Sequence, residues 1–221
     1  MTRTAESGKR QVGIVGLTLA LVSVIALLSA ATALAGSNTA YGDGALSNDG
    51  GTYNSAFGND AMGGFVFGGS FNTGVGAHAL LYNTSNYNTA TGYDALEYNN
   101  GSQNTATGAG ALITNRSGSF NTATGAGALQ VNINASNNTA TGFNALFNNT
   151  AENNTATGAN ALVSNTSGTF NTATGTGALS SNSTGTNDTA TGYGALYNNT
   201  ATANTATGSN ALFSNTSVTE S

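Results

Sequence analysis

One nine-residue pattern, Asn-x-Ala-x-Gly-x-x-Ala-Leu, constrains this chain more than any other feature. It begins at Asn38, Asn54, Asn72, Asn88, Asn104, Asn121, Asn138, Asn154, Asn171, Asp188 and Asn204, eleven copies spaced 16 to 18 residues apart. A fixed short period is the mark of a repeat architecture, in which each unit is stable only against its neighbours. Let the first residue of each copy be position 0. Position 4 is Gly in every copy, from Gly42 to Gly208, and position 7 is Ala in every copy, from Ala45 to Ala211. Position 8 is Leu except at Met62. Position 6 is always Gly, Asn, Asp or His. These residues tolerate left-handed backbone, so positions 4–6 read as a corner. Position 11 is Asn in the last nine copies, from Asn83 to Asn215, and a second corner rich in Asn, Gly and Ser follows it.

Helices do not fit, because the apolar runs are too short and Gly and Asn recur too often. A hairpin array does not fit either, since all copies have the same direction and similar length. The pattern predicts a short strand at positions 0–3, a corner, a second short strand around Ala-Leu, and a loop. Coils stacked about 4.8 Å apart would pair like strands in parallel and align identical side chains in columns. The expected fold is therefore all-β, a parallel β-solenoid of about eleven 16–18-residue coils, roughly 53 Å long at that spacing. The Leu column is its expected core.

Composition matters next because it leaves disorder open: 38% of the residues are hydrophobic and only 6% charged. Few large apolar groups are available to offset chain entropy. The strict period argues for order, since stacked coils share backbone hydrogen bonds. Of four basic residues, Arg3, Lys9 and Arg10 precede the repeats and only Arg116 lies within them. From Gly36 onward one basic residue faces eight acidic ones, a net charge of −7. That balance argues against nucleic acid and against anionic membrane surfaces as partners.

Residues 1–11 are polar and basic, an apolar run extends from Val12 to about Leu28, and Ala33-Leu34-Ala35 fits small-x-small cleavage. Residues 1–35 read as a secretory signal peptide, with a membrane anchor as the alternative, and 36–221 as the solenoid domain. Both readings put the repeats in a secreted, extracellular or cell-surface location. The chain has no Cys, so disulfides contribute nothing there.

A longer period overlies the short one. From Asn88 onward blocks of three coils recur every 50 residues, and Tyr93, Phe143 and Tyr193 mark position 5 of equivalent coils. Duplication history accounts for this block. The first three coils differ: position 3 is Tyr41, Phe57 and Val75 where later coils have Thr, and the second carries Gly64-Phe65-Val66-Phe67-Gly68. Atypical coils are expected at the end of a solenoid, and the last coil leaves an edge open to association.

Eight consecutive coils read Thr-Ala-Thr at positions 1–3: Thr89/Thr91, Thr105/Thr107, Thr122/Thr124, Thr139/Thr141, Thr155/Thr157, Thr172/Thr174, Thr189/Thr191 and Thr205/Thr207. Positions 1 and 3 share one strand face and position 2 the other. If Ala points inward, both Thr columns face solvent as a flat array of hydroxyls and methyls, spaced about 6.7 Å along the strand and about 4.8 Å between coils. That array resembles the Thr-x-Thr face of insect β-solenoid antifreeze proteins, and the resemblance implies a surface that orders water and adsorbs to ice. If positions 1 and 3 point inward, Tyr41, Phe57 and Val75 enter the core. The repeats then resemble the Asn-Thr-Ala-Ile-Gly-x-x-Ala-Leu units of tail-fibre-like surface proteins and of trimeric autotransporter adhesin heads. This second resemblance covers nearly all of 38–212 and implies a surface-exposed adhesive or structural element, often trimeric. Thr stands here where Ile or Val is usual. Thr also favours strands whatever its task, so a purely structural column is the bland alternative.

Nothing in the repeats suggests catalysis, and no enzyme activity, cofactor, metal or small-molecule substrate is expected. The one His, His78, and Asp43, Asp60 and Asp94 fall at corners, where turn roles are the default. Calcium-binding nonapeptide runs are absent, and the many Asn-x-Ser/Thr triplets follow from composition. Two roles are carried forward. The first is a secreted structural or adhesive rod that contacts a cell surface or extracellular matrix and self-associates as a homotrimer or end to end. The second is ice binding through the Thr array, with ice or ordered water as the partner. The exposure of Thr139 and Thr141 separates them.

Overall fold

A computed structural model describes residues 38–48, 50–64 and 68–216. The chain divides at Asn38, and every element below lies in the second unit, Thr39–Ser221. The apolar run at 12–28 and the Phe65–Phe67 loop lie outside the described residues.

Positions 1–3 of all eleven copies form three-residue strands, from Thr39–Tyr41 to Thr205–Thr207, which join in one eleven-stranded parallel sheet in sequence order. The chain is a parallel β-solenoid. Like pairs with like at every step: Thr89 with Thr105, Ala90 with Ala106, Thr91 with Thr107, and so on to Thr207. Each strand begins with a position-1 N–H donating to the next coil's position-0 carbonyl, as in Thr139 to Asn154 at 2.9 Å. It closes with the Gly N–H donating back to the previous coil, as in Gly142 to Thr124 at 2.8 Å.

The expected second strand around Ala-Leu does not form. Positions 4–9 are a double turn held by short-range bonds, such as Ala145 N–H to the Gly142 carbonyl at 3.3 Å. The position-8 side chain is nonetheless central to the core, and its backbone is left-handed in every coil, with φ between 49° and 56° from Leu46 to Leu212. This explains the Leu/Met restriction. A β-branched residue is strongly disfavoured at positive φ, while Leu and Met branch or extend beyond Cβ. Leu146→Ile should therefore cost about 2–4 kcal/mol in a denaturant titration, above the ~1.5 kcal/mol ceiling of ordinary volume-conserving swaps. Leu146→Met should stay below that ceiling. Equal costs would contradict the backbone explanation. Two-residue strands do occur at positions 10–11, Tyr98–Asn99 with Thr114–Asn115 and Asn198–Asn199 with Ser214–Asn215.

The core is narrow. In the seven coils that start from Asn88 through Asp188, Ala at positions 2 and 7 and Leu at position 8 are completely buried. The remaining interior is amide. The position-0 Asn residues, which open the strand, and the position-11 Asn residues, which precede the second corner, are buried. At position 0 each side-chain carbonyl accepts the next coil's backbone N–H, at 2.8–3.0 Å, without a break from Asn54 to Asn204. At position 11 one amide donates to the next along the axis, as from Asn115 to Asn99 and from Asn165 to Asn149, both 2.7 Å. The same Asn donates to a carbonyl two residues on in 16-residue coils (Asn99 to Gly101) and three residues on in 17-residue coils (Asn115 to Gly118). The variable residue is thus absorbed between that Asn and a small partner, and the strand column never leaves register. Two buried amide atoms, Asn138 Nδ2 and Asn165 Oδ1, have no partner among the described residues.

Asp188 replaces Asn in the position-0 column and is fully buried. Its carboxylate accepts from the Asn204 backbone N–H at 2.9 Å, the Asn204 amide at 3.0 Å and the Asn199 amide at 2.9 Å. Asn171 and Asn154 also donate, each to a loop carbonyl at 2.8 Å, which an ionised Asp188 cannot do. Burial raises the Asp188 pKa above the ordinary carboxylate value, against the lowering effect of these hydrogen bonds. The folded state therefore holds its proton longer than the unfolded state, and stability is lost as pH rises through the ordinary Asp range toward the folded value. Asp188→Asn should raise Tm at neutral pH by about 2–4 °C, the equivalent of roughly one hydrogen bond. The gain should shrink toward zero near about pH 3, where both states of the native protein are protonated. A gain that is constant with pH would contradict this assignment.

Candidate functional site

The Ala-in, Thr-out arrangement is the one observed. All eight Thr-Ala-Thr strands show an exposed, buried, exposed sequence. The physical reason is space. Position 2 packs beside Leu and Ala of neighbouring coils, where only a methyl fits, and at Gly74 an added Cβ would already lie 3.1 Å from the Met62 methyl. Thr139 and Thr141 are exposed, and so are the other fourteen candidates.

The sixteen Thr residues form two straight columns, each fixed by direct strand pairing between adjacent coils. Position 1 supplies Thr89, Thr105, Thr122, Thr139, Thr155, Thr172, Thr189 and Thr205. Position 3 supplies Thr91, Thr107, Thr124, Thr141, Thr157, Thr174, Thr191 and Thr207. The inward alternative is overturned for Thr191 as for the other fifteen. Thr191 is exposed and lies between Thr174 and Thr207 in the column. Its backbone carbonyl accepts the Gly208 N–H at 2.8 Å, so only its side chain is left to face solvent. Spacing is about 4.8 Å along a column and about 6.7 Å across. None of these sixteen hydroxyls has a hydrogen-bond partner among the described residues. Some Thr in the loops are partnered instead: Thr84 donates to Asn100 at 2.8 Å and Thr166 to the Ser183 carbonyl at 3.0 Å. The columns therefore offer, beside methyls, solvent-facing hydroxyls with no partner among the described residues, and no ionisable group lies within them.

In the first three coils the sheet continues but its chemistry changes. Thr39, Ser55 and Thr73 extend the position-1 column, while Tyr41, Phe57 and Val75 end the position-3 column as exposed apolar groups, with Tyr41 78% exposed. They do not enter the core, as the inward alternative required. Beside them Tyr53, Phe71 and Tyr87 stack with centroids 5.0 Å apart in each pair, at the residue preceding position 0. Sequence reading missed this stack because its residues fall in the variable loop. Tyr93, Phe143 and Tyr193, the markers of the 50-residue block, are all exposed.

At the corner column His78 Nδ1 lies 3.0 Å from Asp94 Oδ1 in the next coil, and both residues have the positive φ expected of a corner. Among the described residues no group of three or more His, Cys, Asp or Glu side chains gathers as a metal site. Among them, too, no helix is long and apolar enough to cross a membrane. No protein-family model, curated protein or solved structure matches this chain.

Proposed function

We propose that the sixteen-Thr face orders water and binds ice. The observation that carries this reading is the in-register lattice of partnerless hydroxyls and methyls, continuous over eight coils. A rigid backbone holds each hydroxyl in place before any contact, so little ordering entropy is lost on binding an extended solid. The methyls leave bound water no competing strong donor, and the lattice has no charge to break its pattern. The repeats act outside the cytoplasm in this reading, delivered by the 1–35 segment. The direct assay is partition into a slowly grown ice hemisphere. The protein should be retained in the ice, and Ser181→Tyr, an exposed change away from the Thr columns, should be retained equally. Exclusion of the wild type from ice would end the proposal.

A second reading is a surface-adhesive or structural repeat scaffold that self-associates as a homotrimer or end to end. The exposed aromatics of the first coils, Tyr41, Tyr53, Phe71 and Tyr87, favour it, because clustered exposed apolar groups mark contact surfaces. Sedimentation equilibrium tests it. A monomer across the accessible concentration range that also binds no cell surface or matrix would remove it.

A further inference from the structure

A shallow groove of about 540 Å³ runs along the solenoid axis on the side of positions 10 and 12. Its walls come from three consecutive coils. One wall is Tyr82, Tyr98 and Thr114 at position 10, and the other is Thr84, Asn100 and Arg116 at position 12. Other coils place short side chains at these positions, mostly Ser, Thr or Asn. This segment alone combines aromatic rings with a cation.

Three features give the groove a definite chemistry. First, Tyr82 and Tyr98 stack with centroids 5.1 Å apart and planes 18° from parallel. One face of Tyr98 is thereby covered, while the other turns toward the coil of Thr114, where the column drops to a small side chain. The step leaves room for one ring to continue the stack above Thr114. Second, Arg116 is the only Lys or Arg among the described residues, is exposed, and makes no ion pair there. In a domain with an excess of acidic residues, an unpaired guanidinium beside an open aromatic face is unusual. Third, the rim is hydroxyl and amide: Thr84 donates to Asn100 at 2.8 Å, and Thr114 flanks the open step. The neighbouring Glu97 carboxylate raises the Tyr98 pKa above the ordinary tyrosine value.

We propose that this groove binds a carboxylated sugar, with a uronate ring stacked on the free face of Tyr98 and its carboxylate held by Arg116. A pyranose presents an apolar C–H face for the aromatic ring and hydroxyls for Asn100, Thr84 and Thr114. A guanidinium matches a carboxylate in bidentate geometry and distinguishes it from a neutral hydroxymethyl group. The surrounding negative charge selects against densely anionic polymers, so a single carboxylate among neutral sugars is the fitting ligand. The site is separate from the Thr columns at positions 1 and 3, and neither proposal depends on the other.

The test is titration of the purified protein with a glucuronate-containing tetrasaccharide, followed by calorimetry and by tyrosine chemical shifts. Saturable binding is expected, with Tyr98 and Tyr82 shifts moving together. Arg116→Gln should weaken it about tenfold or more, and the carboxyl-reduced neutral tetrasaccharide should lose as much against wild type. Tyr98→Ala should abolish binding, whereas Tyr98→Phe, which keeps the ring, should retain most of it. Arg116 and Tyr98 are exposed, so circular dichroism should be unchanged in all variants. No saturable binding by wild type overturns the proposal, as does equal affinity of Arg116→Gln or of the neutral sugar. Binding of an acidic peptide as tight as the tetrasaccharide would overturn the assignment to sugars. Ice partition of Arg116→Gln should match wild type, which keeps failure of this site distinct from failure of the Thr face.

Discussion

Replacing Gly142 by alanine should destabilise the protein by about 3–5 kcal/mol, while the same change at Gly208 should cost about 1–3 kcal/mol. Both residues have a backbone that L side chains rarely adopt, with φ of 136° and 127°. That strain is common to the two substitutions. They differ in what lies on the next coil. A Cβ at Gly142 would sit 2.6 Å from the Gly158 carbonyl oxygen, whereas a Cβ at Gly208 meets nothing closer than the Ala211 methyl at 3.8 Å. The difference between the two costs therefore isolates coil-on-coil packing from backbone conformation. The same close approach repeats from Gly42 to Gly192, at 2.4–2.6 Å, so position 4 tolerates no side chain wherever a coil follows. Denaturant titration of both variants reads the difference. Equal costs would contradict in-register stacking.

The second large effect is on the surface. Thr157→Tyr places a ring in the middle of the position-3 column, between Thr141 and Thr174. The site is exposed, so stability should change by less than about 0.5 kcal/mol. Ice is a rigid plane, and a ring standing above its neighbours holds several adjacent coils away from it. Thermal hysteresis should fall to near that of an inert protein at equal concentration. Ser181→Tyr adds the same ring away from the columns and should leave the hysteresis unchanged.

Much of this structure was legible in the residues. The invariant Gly at position 4 and the Gly/Asn/Asp/His set at position 6 marked a corner, and both have positive φ in every coil. Eleven copies became eleven paired strands. Two features were not legible in the same way. The Ala-Leu segment looked like a strand because strand and tight turn both accept one buried large residue, and only its left-handed φ distinguishes them. The interior role of the Asn columns was not evident because Asn is a common turn residue and rarely a core one. A signal was present, however. Position 6 exchanges freely among turn formers, while positions 0 and 11 hold Asn with almost no exchange, as a buried side chain with two specific partners requires. The facing of the Thr columns, from Thr89 and Thr91 through Thr191 to Thr207, could not be read from alternation alone, since Thr-Ala-Thr is compatible with either face inward. It was decided by the space available beside the Leu column. The Arg116 groove was hidden because its six residues come from three coils and share no sequence neighbourhood.

Tyr41, Phe57 and Val75 set the limit of the Thr face. They interrupt the position-3 column in the first three coils, so the hydroxyl lattice begins at Thr89/Thr91 rather than at the first coil. Ice binding accordingly requires nothing of those coils beyond continuing the sheet.

Thermal hysteresis of the purified protein tests ice binding most directly. It is measured beside Thr157→Tyr, with circular dichroism verifying the fold of both. The expected result is a freezing-point gap in the wild type that rises with concentration and is nearly absent in Thr157→Tyr. No gap in a folded wild type, or a full gap in the folded variant, would contradict binding through the Thr columns.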